Sequence, residues 1–169
     1  MGITIRLLGA QDIPLIYSSF ADIGSHRPPG LFERYLDEQD REKRSTLVAF
    51  MDEIFAGYVT INWWPDYLPF AEKGIPLIQD LNVLPAYRRR GMATDLVDEA
   101  ERRIFERSPV AGIGVGLHAD YGAAQRMYVL RGYVPDGLGL AYKEHQVRPG
   151  QEVRVDDDLC LYFIKEKDL

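Results

Sequence analysis

Apolar positions change period along the chain, and each change marks an element. Ile3-Thr-Ile-Arg-Leu-Leu8 alternates and predicts a first strand. Gln11-Asp12-Ile13-Pro14 then leads into an apolar-periodic run from Leu15 to Ile23, a helix whose proline suits a first turn. Residues 24–30 carry Gly24, Pro28, Pro29 and Gly30 and form a loop. Leu31 to Arg44 predicts a polar helix with Leu31, Phe32, Tyr35 and Leu36 on one side. Thr46 to Met51 and Ile54 to Asn62 are β-rich runs joined by Asp52-Glu53, a hairpin. Trp63 to Gly74 is a long connection, and Ile75 to Val83 is the next strand. Ala93, Leu96, Val97, Ala100 and Ile104 share one helical face. Ile113 to Ala119 predicts a strand, with a short helix after it. Tyr133 to Tyr142 contains a turn at Pro135-Asp136-Gly137, residues 143–158 are charged with a turn at Pro149-Gly150, and Leu159 to Lys165 is a final strand. The order describes one mixed α/β domain over residues 1–169. The strand–helix–strand unit at 75–119 should form a right-handed parallel crossover, with the apolar run from Ile113 covered on both faces.

The densest chemical signal lies inside that crossover. An apolar strand ends at Leu84-Pro85, three arginines and a glycine follow at Arg88, Arg89, Arg90 and Gly91, and a helix starts at once. The first N–H groups of a helix lack intrahelical acceptors, and its dipole is positive there, so the turn is suited to an anion. Gly91 allows close backbone approach, and arginine forks match phosphate. The plain alternative is a solvated charge run. Against it, each cation at a helix N-terminus costs about 0.3–1 kcal/mol, and three together suggest an anion that offsets them.

Arg88-Arg-Arg-Gly-Met-Ala93 resembles the [Gln/Arg]-x-x-Gly-x-[Gly/Ala] signature of the GNAT N-acetyltransferase superfamily, and Leu81-Asn-Val-Leu-Pro-Ala-Tyr87 resembles the strand before it. A second segment agrees in order. Ala124, Tyr128, Gly132 and Tyr133 fall on the family pattern Asn-x-x-Ala-x-x-x-Tyr followed by Gly-[Phe/Tyr], with Tyr121 in place of the usual Asn. The resemblance implies a GNAT-like fold: a mostly antiparallel sheet of about seven strands with a parallel central pair, flanked by about four helices. It implies acetyl-coenzyme A as co-substrate. The pyrophosphate would sit on Arg88, Arg89, Arg90, Gly91, Met92, Ala93 and Thr94. The pantetheine arm would lie along Leu81, Asn82 and Val83, near Tyr121 and Ala124. Tyr128 would donate a proton to the departing sulfur.

Composition narrows the setting. Hydrophobic residues are 46% and charged residues 27%, an ordinary globular balance. No apolar run is long enough to span a bilayer, and no signal peptide or myristoylation pattern is visible, so the expected setting is cytoplasmic without a membrane partner. The net charge of −6 argues against nucleic acid and leans towards cationic acceptors. Cys160, the one cysteine, sits in a core-strand pattern and reads as packing.

Acetyl transfer needs a neutral amine, a polarised thioester carbonyl and a protonated leaving thiol. Asp80 is the candidate base, because a carboxylate in an otherwise apolar strand is costly unless used or paired. Alternation places Ile78, Asp80 and Asn82 on one face, and Gln79, Leu81 and Val83 on the other. A structural ion pair is the equal alternative for Asp80, and packing on Ala124 the alternative for Tyr128. His118 and Asp120 offer too few ligands for a metal, and none is expected. His26, Trp63, Trp64 and Tyr67 could wall a pocket for a cationic amine, or simply be core and lid. The leading expectation is an acetyl-coenzyme A-dependent N-acetyltransferase acting by direct transfer on a small-molecule or peptide amine. A non-catalytic acyl-coenzyme A sensor is the alternative, and a homodimer stays open. A nucleotide-binding domain is disfavoured, since the basic turn lacks Gly-Lys-[Ser/Thr].

Overall fold

The hairpin expected at Asp52-Glu53 forms, and both turn residues lie in the left-handed region, at φ 47° and 68°. It joins β2 (Arg44–Met51) to β3 (Ile54–Asn62), and β1 (Ile3–Leu7) pairs antiparallel with β2 on the other side. The computed structural model describes residues 2–169 and divides into two compact units. The first holds the chain up to Trp63 together with Ile78–Arg103; the second holds Trp64–Leu77 and Ile104–Leu169.

In the first unit, β4 (Leu77–Val83) follows β3 in the sheet from Ile78 onward. Helices α1 (Ile13–Ala21) and α2 (Leu31–Asp40) supply Ile16, Phe20, Phe32 and Tyr35 to a core shared with Val48, Phe55 and Tyr58. Aromatic edges meet faces there: Phe32 lies 5.1 Å and Phe20 5.9 Å from the Tyr58 ring. The polar helix expected to reach Arg44 stops at Asp40, and Arg44 instead opens β2. Tertiary bonding explains the difference. The Arg44 guanidinium is buried on Glu38, Thr60 Oγ1 and Gln79 Oε1, which draws its backbone into the strand. Helix α4 (Met92–Phe105) buries Met92, Leu96, Val97, Ala100 and Ile104. Met92, and not the half-buried Ala93, starts the stripe, because it stands four residues before Leu96.

The second unit contains β5 (Val110–Gly116), β6 (Val134–Tyr142), β7 (His145–Gln146) and β8 (Leu159–Glu166), in the sheet order β5-β8-β6-β7 with antiparallel pairs. Here β4 begins beside β5 as the expected parallel pair, with the Gly112 N–H donating to the Pro76 carbonyl at 2.9 Å. Several details differ from expectation. The connection before β4 folds into α3 (Leu68–Lys73), because Phe70 buries against Tyr67 and Tyr162. Strand β5 starts three residues earlier than predicted, since its glycines fit beneath aromatic rings. A Cβ on Gly112 would lie 2.2 Å from Phe70, and one on Gly114 2.9 Å from Tyr162. The turn expected at Pro135-Asp136-Gly137 is an irregularity within β6, where Gly137 and Gly139 take positive φ. Helix α5 (Gly122–Leu130) completes the unit. Among the described residues, the eight strands and five helices exceed the expected counts by the two-residue β7 and by α3. Among the described residues no helix is long and apolar enough to cross a membrane.

Candidate active site

Asp80 kinks the strand that carries it. Its φ is +53°, a left-handed conformation that aspartate tolerates better than most residues. Strict alternation therefore fails at this point: Gln79 and Asp80, consecutive residues, both reach the group around α2. Gln79 Oε1 accepts from Arg44, whose guanidinium lies 4.6 Å over the Tyr35 ring, and the Tyr35 hydroxyl donates to Asp80. The expected assignment of Gln79 to the opposite face is corrected by this kink.

Three side chains hold the Asp80 carboxylate. Tyr35 and Tyr58 hydroxyls donate to Oδ2 at 2.9 and 2.7 Å, and Asn82 Nδ2 donates to Oδ1 at 2.7 Å. Asn82 also donates to the Tyr58 oxygen at 3.2 Å, which closes a ring of hydrogen bonds. Burial first, then the Asp80 charge, push both phenols well above the ordinary tyrosine value, so they remain donors. A carboxylate has about four lone-pair positions. Three are engaged here, and one on Oδ1 remains. No arginine or lysine pairs with Asp80 among the described residues, so the anticipated structural ion pair is replaced by neutral donors. Tyr35 and Tyr58 were not legible as site residues, since each reads as an ordinary core aromatic in its own element.

Beyond Val83 the same unit carries the basic turn. Arg89 and Gly91 take φ of 59° and 84° on either side of Arg90, an alternation of the kind that forms anion-binding nests. The Asp95 N–H closes the first turn of α4 onto the Gly91 carbonyl at 2.9 Å, leaving the N–H groups of Met92, Ala93 and Thr94 without acceptors inside the helix. Apart from its chain neighbours, no atom of the described residues lies within 4 Å of a Cβ built on Gly91. Arg88, Arg89 and Arg90 are exposed, and among the described residues none has a carboxylate partner. Arg88 Nε donates to the Val83 carbonyl at 3.0 Å, and Leu81 and Val83 are half-buried. Three uncompensated cations on a left-handed turn at a helix start fit a diphosphate.

In the second unit Tyr128 is buried on α5, edge-on to Tyr133 with ring centroids 6.0 Å apart. Burial pushes its phenol up to about 12, and its hydroxyl has no protein hydrogen bond among the described residues. Ala124 is half-buried one turn earlier. Tyr121 lies over Gly116, where a Cβ would come within 2.4 Å of its ring, and burial raises it to about 12. His118 Nε2 is 2.8 Å from Asp157 Oδ1. Cys160 is half-buried, with burial raising its thiol to about 11. Tyr67 is core: it stacks on Tyr162 at 3.7 Å and donates to Asp136. Trp64 is exposed. In the first unit Trp63 Nε1 donates to Ser45 Oγ, and His26 is exposed in the loop after α1. The structure thus brings Asp80 and Asn82 together with Tyr35 and Tyr58, and sets Tyr67 in packing of its own.

Residues 13–133 match the acetyltransferase (GNAT) family. The chain belongs to the GNAT acetyltransferase family. Acetyl transfer is this family's general reaction. No curated protein matches the chain. Solved structures share its fold at low identity. A putative GNAT acetyltransferase from Desulfovibrio desulfuricans is 16% identical with a TM-score of 0.72, covering 98% of this chain and 99% of that one. The ribosomal-protein-alanine N-acetyltransferase of Brucella melitensis is 17% identical with a TM-score of 0.69, covering 97% and 99%. Arabidopsis thaliana Naa50, in complex with the bisubstrate analogue CoA-Ac-MVNAL, is 11% identical with a TM-score of 0.65, covering 99% and 100%.

Proposed function

We propose that this GNAT member moves an acetyl group from acetyl-coenzyme A to a primary amine by direct transfer, with both substrates bound. The observation that carries the reading is the Asp80 carboxylate, held by three donors with one lone pair left, on the strand that runs into the basic turn. The turn 88–94 takes the pyrophosphate on backbone N–H groups, with Arg88, Arg89 and Arg90 neutralising its charge. The backbone of Leu81 and Val83 pairs with the pantetheine amides; Arg88 releases the Val83 carbonyl as it turns to phosphate. On the family pattern, Tyr121 and Ala124 also belong to the cofactor's binding residues. The thioester supplies an activated acyl carbon.

Asp80 receives the acceptor ammonium at its open Oδ1 position and takes a proton from it, directly or through water. The nitrogen then forms the new N–C bond as the C–S bond breaks. Of the two protons the ammonium loses, one passes to solvent through Asp80 and the other is balanced by protonation of the sulfur. The Tyr128 phenol, kept protonated by burial, donates a hydrogen bond to that sulfur as its charge develops. His26, Trp63 and Trp64 remain candidates for the acceptor's surroundings.

The test is thiol release from acetyl-coenzyme A with a panel of primary amines, for the wild type and Asp80→Asn. Asparagine tolerates the left-handed backbone, so the variant should fold. We expect a fall in kcat of about 10²-fold, the scale of a general base, with coenzyme A affinity unchanged. Tight coenzyme A binding without thiol release for any amine would instead make the chain a binding module.

A further inference from the structure

Arginines in the first unit follow a rule with one exception. Outside the turn 88–90, Arg6, Arg34, Arg41, Arg44, Arg102 and Arg103 each sit within ion-pair distance of a carboxylate. Arg27 has no carboxylate partner among the described residues. It is half-buried, and its Nε is fully shielded without any hydrogen-bond partner. Its one bond runs from Nη2 to Ser25 Oγ at 3.2 Å, so most of its donors are unused. A shielded cation with idle donors is costly unless something anionic completes it.

Its position connects it to Asp80. The Arg27 guanidinium lies 4.5 Å over the face of Phe20. The same Phe20 ring meets Tyr58 edge-on at 5.9 Å, and Tyr58 donates to Asp80. The Arg27 charge also reaches the Tyr58 phenol: burial and Asp80 raise that phenol, and Arg27 opposes them. Phe20 and Tyr58 therefore link an idle guanidinium fork, in the loop between α1 and α2, to an open carboxylate lone pair on β4.

We infer that Arg27 is an anion subsite for the acceptor, and that the acceptor carries a carboxylate next to its amine, as a free α-amino acid does. Asp80 receives the ammonium and Arg27 the carboxylate, in bidentate fashion. The subsite disfavours polyamines, whose second cation would meet Arg27. It also disfavours protein N-termini, whose α-carboxyl is tied up in a peptide bond. The inference rests on the proposed N-acetyltransfer.

The experiment uses the full chain with saturating acetyl-coenzyme A. Thiol release is measured for the standard α-amino acids and for their carboxamides, in the wild type, Arg27→Met and Arg27→Lys. Binding of the same compounds to the coenzyme A complex is followed by calorimetry. The expected result is a preference for at least one acid over its carboxamide. Arg27→Met should lower kcat/KM for that acid about 10- to 100-fold, the worth of a charged hydrogen-bonded contact. The loss should fall mainly on KM, leave the carboxamide nearly unaffected, and be partly rescued by Arg27→Lys. If no amine turns over, yet amino acids bind and Arg27→Met abolishes that binding, the subsite stands and the transfer reading falls. A preference for carboxamides or polyamines, or equal effects of Arg27→Met on acid and carboxamide, would overturn the inference and leave Arg27 as a cap on Phe20.

Discussion

The Tyr58 hydroxyl donates to Asp80 Oδ2 at 2.7 Å from the centre of an aromatic core, so the carboxylate is positioned by a residue that also packs. Tyr58→Phe keeps the ring against Phe20 and Phe32 and removes one charged hydrogen bond. We expect a stability loss of about 1–3 kcal/mol and a clear fall in turnover, with coenzyme A affinity preserved. Chemical denaturation, calorimetry and steady-state kinetics on the same preparation separate these effects. Unchanged turnover would show that Tyr35 and Asn82 suffice to hold the carboxylate.

Gly91 stands at φ 84° with open space where its side chain would be. Gly91→Val would strain the backbone by about 1–2 kcal/mol and place methyl groups where phosphate oxygens would approach. Coenzyme A should bind at least about 10-fold more weakly, with far less effect on an acceptor's KM. Isothermal calorimetry with coenzyme A decides the matter; undiminished affinity would remove the anion site from this turn.

Tyr128→Phe should cost little stability, since the hydroxyl has no protein partner among the described residues and the ring stays on Tyr133. Single-turnover transfer should slow towards the low end of the about 10²–10⁴-fold range for general acids. A thiol of ordinary pKa near 8.5 is already a tolerable leaving group. Equal rates for the two proteins would assign Tyr128 to packing alone.

Alkaline pH should unfold this protein early. Burial raises Tyr35, Tyr58 and Tyr162 above the ordinary phenol value, and holds Tyr128 at about 12. In each case the folded state keeps a proton that the unfolded chain releases near pH 10. Their contribution is therefore complete below pH 10 and is lost as pH rises towards the folded values. The slope is at most about 1.4 kcal/mol per pH unit for each phenol. Urea midpoints measured between pH 8 and 11 should hold steady and then fall above about pH 10. Tyr58→Phe should reduce the steepness of the fall.

Local patterning determined much of this protein without tertiary help. The period-two run at β1, the β-rich run at β3, the hairpin at Asp52-Glu53, the strand–turn–helix around Arg88–Gly91 and the stripe through Leu96, Val97, Ala100 and Ile104 depend on neighbours within a few residues. The same locality made Asp80 visible, because a carboxylate among apolar neighbours stands out in a linear string. Contacts between residues far apart in sequence decided the rest. Arg44 joins a strand because Glu38, Thr60 and Gln79 meet its guanidinium, and β5 starts early because Phe70 and Tyr162 lie over its glycines. Asp80 turns left-handed and shares its surroundings with Gln79, which a period of two cannot express. Tyr35, Tyr58 and Arg27 acquire significance only through what folding sets beside them: two hydroxyls reaching one carboxylate, and a guanidinium shielded on Phe20 with no anion of its own. Hydrogen bonding and desolvation act over ångströms in space, and a sequence records only order along the chain.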